Sequence, residues 1–224
     1  TIEEIAREKA GIMKPGVPCY SVPQTPAVAE VLREHAEATG CPLSIVGTDI
    51  EFSNRFCVSD DLGPHTRICL ITEENQYMHL PVPLHGEHQA VNCGVSLAAI
   101  SHLQAKEKSI DDSKLFRGLA ATSLPGRMEL VWDQPRILID GAHNPIALST
   151  LMRSIGAHVP YDSMICIFGC CEDKDIDTML DNLAIGGDKI IFTAAQDQAR
   201  AADPEDLKQR FMAKRGKVCQ TARN

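Results

Sequence analysis

The stretch RILIDGAHNPIALSTL, residues 136–151, constrains the fold more than any other part of the chain. Its apolar run Ile137-Leu138-Ile139 stops at Asp140, Gly141, Ala142, His143, Asn144 and Pro145. The apolar spacing then turns helical, through Leu148, Leu151, Met152 and Ile155. Such a change of period across a Gly/Pro turn marks a strand handing over to a helix. The pattern recurs twice. MICIF (164–168) leads through GCCEDKD to a helical stretch around Ile176–Leu183, and KIIFT (189–193) leads through AAQDQARAADPEDL to a helix ending near Lys214. Three β-turn-α units in succession predict a doubly wound parallel sheet, with Ile137–Ile139 as one of its buried strands.

The first half is more mixed. Ile2, Ile5, Ala6 and Lys9 share a helical face that Gly11 closes. After the KPGVP turn, CYSV is a short strand. Pro26 opens a helix with Val28, Val31, Leu32 and Ala36 on one side and Gly40 at its end, and PLSIVG is the next strand. Residues 49–84 alternate between apolar and polar and predict antiparallel hairpins built from RFCVS, TRICLIT and YMHLPVPL. A buried helix is expected over Val91–Leu103, a polar surface connection over 105–113 and a helix over 113–121. Pro125-Gly126 is the candidate boundary between a first domain, 1–126, and a second, 127–224.

Bulk properties exclude some functions. A net charge of −8 argues against a general nucleic-acid binder, which needs a basic face, but leaves room for a local anion site. No apolar run approaches the roughly eighteen residues of a membrane span. The nine cysteines are odd in number and contain no CxxC. They read as reduced thiols of the cytoplasm or an organelle matrix (the mitochondrial one included), not as a disulfide framework or zinc site. The chain opens at Thr1 within a helical pattern and closes on KVCQTARN, and it reads as an internal piece of a longer protein.

Ligands of doubly wound sheets sit beyond the carboxyl ends of the strands. The turns Asp140–Asn144, Gly169–Asp175 and Ala194–Asp203 are therefore expected on one edge, which would collect Asp140, His143, Asn144, Asp173, Lys174 and Asp175. Pro145 suits a first helical turn, whose free amides favour an anion near His143. An N-capping asparagine and a turn-forming aspartate would account for the same residues without a ligand. Arg127, at the candidate boundary, is either a phosphate clamp or a surface arginine. Lys9 shares a face with Ile2 and Ile5, so it is expected to be partly buried, with a more nucleophilic amine. Snorkelling of its stem along apolar surface is the alternative. His88 and Asn92 lie four apart on one helix face, too few ligands for a metal. Asn92 is expected to be a buried amide needing partners, from a purine edge or from a structural network.

Three motifs together are similar to a known family. EIAREKAGIMKPGVP, GEHQAVNCGVSLAAI and LPGRMELV…ILIDGAHNP, in this order and spacing, resemble the folylpolyglutamate synthase and dihydrofolate synthase family of the Mur ligase superfamily. FGCCEDKD and RAADPEDL extend the likeness, so that it covers essentially the whole chain. The resemblance implies an α/β fold: the end of a P-loop-type Mur ligase central domain followed by a Rossmann-like Mur ligase C-terminal domain. It implies an ATP- and Mg²⁺-dependent monomeric ligase that joins L-glutamate to a folate-type carboxylate, of dihydropteroate or a reduced folate, through an acyl phosphate. By motif, Lys9 matches the lysine carried as a carbamate that ligates Mg²⁺. Asn92 and Asp140 match positions on the base or ribose side of ATP, Arg127 matches a phosphate contact, and His143 falls near the phosphates. DGAHNP with LPGRMELV leans toward the dihydrofolate-synthase-like branch. The family's P-loop is missing, since no G-x-x-x-x-G-K-[ST] occurs in these residues. The chain alone is therefore expected not to turn over ATP. A peptidoglycan-type Mur ligase and a non-catalytic nucleotide-binding module remain the alternative readings.

Overall fold

The computed structural model describes residues 1–106, 110–196, 198–215 and 219–222. The chain divides into two compact units, Thr1–Ser123 and Leu124–Asn224.

In the first unit, α1 (Ile2–Ala10) begins with a capping box. Thr1 accepts from the Glu4 amide, and the Glu4 carboxylate reaches back to the backbone of Thr1. Ala6, Ala10 and Met13 pack against Val28, Val31, Leu32 and Ala36 of α2 (Pro26–Thr39). Pro26 sits in the first turn of α2, and Gly40 closes it at φ +70°, a left-handed conformation that favours glycine. Strands β1 (Cys19–Ser21) and β2 (Leu43–Ile45) flank α2 and pair in parallel. Of the face of α1 formed by Ile2, Ile5, Ala6 and Lys9, only Ala6 is buried, which corrects the partial burial expected of Lys9. Ile2 and Ile5 are 55% and 58% exposed, and Lys9 is exposed with them. The apolar period is present, but the small Ala6 and Ala10 allow the close approach to α2, and they turn the isoleucine stripe outward.

Strands β3 (Glu51–Ser59), β4 (Gly63–Ile71) and β5 (Gln76–Val82) form an antiparallel meander with β4 central. Thr66, Ile68 and Leu70 alternate inward. Behind them lies α3 (Glu87–Lys106), whose Ala90, Cys93, Leu97 and Ala98 complete the core with Leu115 of α4 (Asp112–Ala120). A Cβ on Gly94 would lie 2.7 Å from the Phe52 ring, so this glycine lets β3 approach α3. The core also holds a hydroxyl. Ser101, fully buried, bonds Thr72 (2.7 Å) and Asn75 (3.0 Å), fixing the β4–β5 turn on α3. The polar connection expected over 105–113 lies in part, at 107–109, outside the described residues.

The second unit begins with β6 (Glu129–Asp133) and β7 (Arg136–Ile139). There follow α5 (Pro145–His158), β8 (Ile165–Phe168), α6 (Ile176–Gly186), β9 (Lys189–Phe192), α7 (Pro204–Arg215) and β10 (Cys219–Thr221). Strands β8, β9 and β10 make a parallel sheet in the order β10-β9-β8. Met179, Leu180, Leu183, Leu207 and Phe211 from α6 and α7 cover one face of it. Phe192 packs edge-on to Phe168 (6.4 Å) and Phe211 (5.7 Å), joining strands to helix. The expectation for β7 is corrected here. It pairs antiparallel with β6 in a separate two-stranded ladder, and Ile137 and Ile139 are 46% and 44% exposed. The tight Gln134-Pro135 connection delivers β6 as a local partner, so the ladder groups of β7 are met without joining the parallel sheet. Two of the three expected turns, not three, follow strands of one sheet.

Candidate functional site

The LPGRMEL and DGAHNP segments are laced together by backbone contacts. Asp140 spans both: one carboxylate oxygen accepts the Met128 amide (2.8 Å) and the other the Ala142 amide (2.7 Å). The Gly141 amide donates to the Gly126 carbonyl (2.8 Å), and the Gly126 amide donates to the Glu129 carboxylate (2.7 Å). Within this knot Gly126 and Met128 both take positive φ, +67° and +46°. For the buried Met128 that is an unusual conformation, held by the Asp140 bond to its amide.

This geometry places the Arg127 side chain. Its Nη1 donates to the Gly126 carbonyl at 3.1 Å. The guanidinium lies so close over Gly141 that a Cβ there would collide with Nη1. Among the described residues Arg127 forms no ion pair, so most of its donors are left for a ligand. Beside it α5 starts. Asn144 caps the helix by accepting the Ala147 amide (2.8 Å), and Pro145 occupies the first turn. The start of α5 is held to α6 by Asn182, whose amide donates to the Pro145 carbonyl (2.9 Å). His143 is exposed and its Nδ1 meets the Gly141 carbonyl (3.0 Å), so Nε2 points its lone pair or proton outward. An uncompensated guanidinium, an anchored imidazole and a helix N-terminus together favour an anion with several oxygens.

The other expected site residues lie in the first unit. Lys9 is exposed in the last turn of α1, without an ion pair among the described residues. Asn92 is exposed, which corrects the expectation of a buried amide. The helix is rotated so that Gln89 is the buried one, and Asn92 Nδ2 donates to its Oε1 at 3.2 Å. The structure thus gathers Arg127, Asp140 and His143, and leaves Lys9 and Asn92 on α1 and α3. No hydrogen bond or ion pair among the described residues links the 140–144 turn to Asp173, Lys174 or Asp175, and Lys174 instead pairs with Asp173 at 2.9 Å. The loops after β8 and β9 do meet, through Glu172 to Arg200 (2.8 Å) and Ala202 to Cys170 (2.9 Å). An open hollow of about 570 Å³ lies beside them, lined by residues from Ala194 to Pro204.

Comparison with known proteins fits this arrangement. Residues 126–224, which contain the whole knot, match the glutamate ligase domain of Mur ligases. Over 208 residues, 92% of the chain, it is 31% identical to a dihydrofolate synthase/folylpolyglutamate synthase of Bacillus subtilis, covering 47% of that protein. The folylpolyglutamate synthase of Mycobacterium tuberculosis, solved in complex with ADP, superposes on the whole chain with a TM-score of 0.84 at 28% identity, over 49% of its own length. The chain belongs to the folylpolyglutamate synthase/dihydrofolate synthase family. It spans less than half the length of the curated relatives it matches, 47%, 43% and 37% of three of them. Another solved family member, the bifunctional enzyme of Yersinia pestis complexed with AMPPNP and a Mn ion, covers the whole chain at 26% identity with a TM-score of 0.74.

Within this folylpolyglutamate synthase-like knot, sequence reasoning missed Gly141, Glu129 and Met128. Gly141 has no local signal, because Arg127, which overlies it, is fourteen positions away in the chain. The Glu129 contact spans three residues, and a Pro-Gly followed by an acid at that spacing is a readable signal. The bond from Asp140 to Met128 spans twelve residues and has no local signature.

Proposed function

We propose that the protein is an ATP-dependent ligase that joins the amino group of L-glutamate to the carboxylate of dihydropteroate or a reduced folate. In this reading residues 1–126 are the C-terminal part of the central ATPase domain, and 127–224 form the Mur ligase C-terminal domain. The observation that carries the reading is the Arg127 guanidinium, tethered over Gly141 and without a carboxylate partner among the described residues, beside the α5 N-terminus and His143.

The reaction follows from the chemistry of a carboxylate, which is a poor electrophile. Its oxygen attacks the γ-phosphorus of ATP, the bond to ADP breaks, and an acyl phosphate forms. The glutamate amine then attacks the acyl carbon, phosphate leaves and an amide remains. Arg127 holds phosphate oxygens as negative charge moves toward them. His143, with Nδ1 fixed on a carbonyl, presents Nε2 to the same oxygens. Asp140 sets the position of Arg127 and turns its remaining lone pairs to the nucleotide. Asn92, exposed on α3, offers an amide to the base or ribose.

Mg²⁺ is the divalent ion this chemistry calls for, supplying charge neutralisation on the phosphates when bound. An ammonium cannot ligate it. Lys9, exposed and without an ion pair among the described residues, is open to carbamylation, which would replace the ammonium with oxygen donors. That donor set fits Mg²⁺.

The test is glutamate-dependent ADP release by the full-length protein given ATP, Mg²⁺ and dihydropteroate. Release is expected with dihydropteroate and not with a UDP-muramyl peptide, and it should fall steeply in Arg127→Ala. Release that ignores glutamate and the pterin substrate would refute the reading. These 224 residues by themselves, which contain no P-loop motif, are expected to release no ADP.

A further inference from the structure

One face of the β3–β4 ladder carries four reactive side chains on two rungs. Cys57 stands directly opposite His65, and Arg55 directly opposite Arg67. Thr66, Ile68 and Leu70 face the core, so His65 and Arg67 with their partners share the other face. The contacts agree with the register. From His65 Nε2, Cys57 Sγ is 3.2 Å away and Arg67 Nε 3.1 Å. His65 Nδ1 lies 2.9 Å from the Gly63 carbonyl, which can only accept, so the ring proton sits on Nδ1 and Nε2 keeps its lone pair. The imidazole is 5% exposed, Cys57 and Arg67 are half-buried, and Arg55 is open to solvent.

Two guanidinium groups directly opposed across a ladder repel each other. On a chain with 30 acidic against 22 basic residues, a carboxylate would be the expected neighbour, yet among the described residues neither arginine makes an ion pair. The uncompensated pair therefore calls for an anion from outside, and the nearest reactive atom is a thiol with a proton acceptor beside it.

We propose that Cys57 is a thiol–disulfide exchange site for a carboxylate-bearing disulfide, with Arg55 and Arg67 binding its carboxylates and His65 taking the thiol proton. Cys57 Sγ attacks one sulfur of R–S–S–R. A Cys57–S–S–R bond forms, the original S–S bond breaks, and the proton passed to His65 Nε2 goes on to the leaving sulfur as R–SH. The Cys57 sulfur is oxidised and the leaving sulfur reduced, so no other reactant is needed. As Nε2 takes the proton, Arg67 Nε loses its acceptor and turns to the bound carboxylate. Cys41, Cys93 and Cys219 are buried. Cys69 lies on the same face and has His79 Nδ1 at 3.6 Å from its sulfur, but it accepts the His79 amide (3.3 Å) and its rung partner is Ser53, so it is set apart from Cys57 by having no histidine opposite it across the β3–β4 ladder.

The test treats the folded full-length protein with glutathione disulfide and, separately, with the neutral bis(2-hydroxyethyl) disulfide, and follows adducts by peptide mass mapping. Glutathione disulfide should modify Cys57 first and faster than the neutral reagent does. In Arg55→Gln/Arg67→Gln, or at high salt in the unaltered protein, the ratio of the two rates should fall about tenfold, as expected for one exposed and one half-buried charge contact. Reaction first at another cysteine, or a ratio indifferent to both salt and the arginines, would overturn the proposal. The salt series needs no variant, so a misfolded double mutant would not blunt the test.

Discussion

Gly141→Ala is the most discriminating change to make in this protein. An added methyl would sit on Arg127 Nη1, and its other near neighbours are Arg127 Cζ at 3.5 Å and the Gly126 carbonyl at 3.6 Å, both ordinary contacts. Only the far end of a flexible side chain must move, and φ at 141 is not left-handed. Replacing glycine with alanine in a tolerated conformation stabilises by about 0.4–1 kcal/mol through the unfolded chain, so thermal stability should hold or rise slightly. Function should behave in the opposite way. Displacing the guanidinium removes a charge-assisted bond to phosphate worth about 1.5–3 kcal/mol, roughly a ten- to hundredfold loss in nucleotide affinity. The assay is isothermal titration of the full-length protein with ATP, run beside a thermal melt, for Gly141→Ala, Arg127→Ala and the double variant. If the methyl acts through Arg127, the double variant binds no more weakly than Arg127→Ala alone. Additive losses, or nucleotide affinity unchanged in Gly141→Ala, would refute the argument.

Three further outcomes follow from particular contacts. Asp140→Asn keeps the shape but puts an NH₂ where one oxygen stood. Whichever way it flips, Met128 or Ala142 loses an acceptor, for a cost of about 1–3 kcal/mol in chemical denaturation. Asp49 is pushed up by burial, but the Ile45 amide and Arg33 outweigh this and hold its carboxyl below the usual range. Its contribution is therefore complete above the unfolded pKa of about 3.9 and is lost as pH falls through the lower folded value. Over that acid window urea midpoints should drop more steeply for the unaltered protein than for Asp49→Asn. The Cys93 thiol, pushed up to about 11 by burial, should resist alkylation at pH 8 until the protein unfolds, as peptide mapping of iodoacetamide adducts would show.

Much of the fold was readable because it rests on local signals. Gly40 ends α2 in the left-handed conformation that its sequence position suggests, and the alternation after residue 49 marks the meander. Elsewhere the sequence specified an element but not its partner. Ile137-Leu138-Ile139 does form a strand, but an apolar run cannot say whether it pairs with a parallel neighbour across a helix or with β6 across a two-residue turn. The stripe Ile2-Ile5-Lys9 is a true helical face, but the choice of buried face lay with α2, which receives Ala6 and Ala10. Asn92 and Gln89 were separated only by the rotation of α3. At the candidate site, Asp140, His143 and the Asn144-Pro145 cap were legible because a strand-to-helix turn needs such residues. The tether that aims Arg127 was not, because it joins residues twelve apart.

That difference bears on how the knot works. The Asn144 cap is a local economy that any helix can use, and its loss would be felt mainly as helix stability. The Asp140–Met128 bond holds a non-glycine residue at φ +46° and sets the backbone on which Arg127 stands. Backbone held in a sparsely populated region persists only where its surroundings over-determine it. Four contacts do so here: two amides on Asp140, one on Glu129 and one on the Gly126 carbonyl. Their shared product is the position of one guanidinium left without a carboxylate among the described residues. A fold with no use for that charge could relax Met128 and pair Arg127 with an acid at the surface, so the strain and the missing counter-ion are best understood as two sides of one anion site.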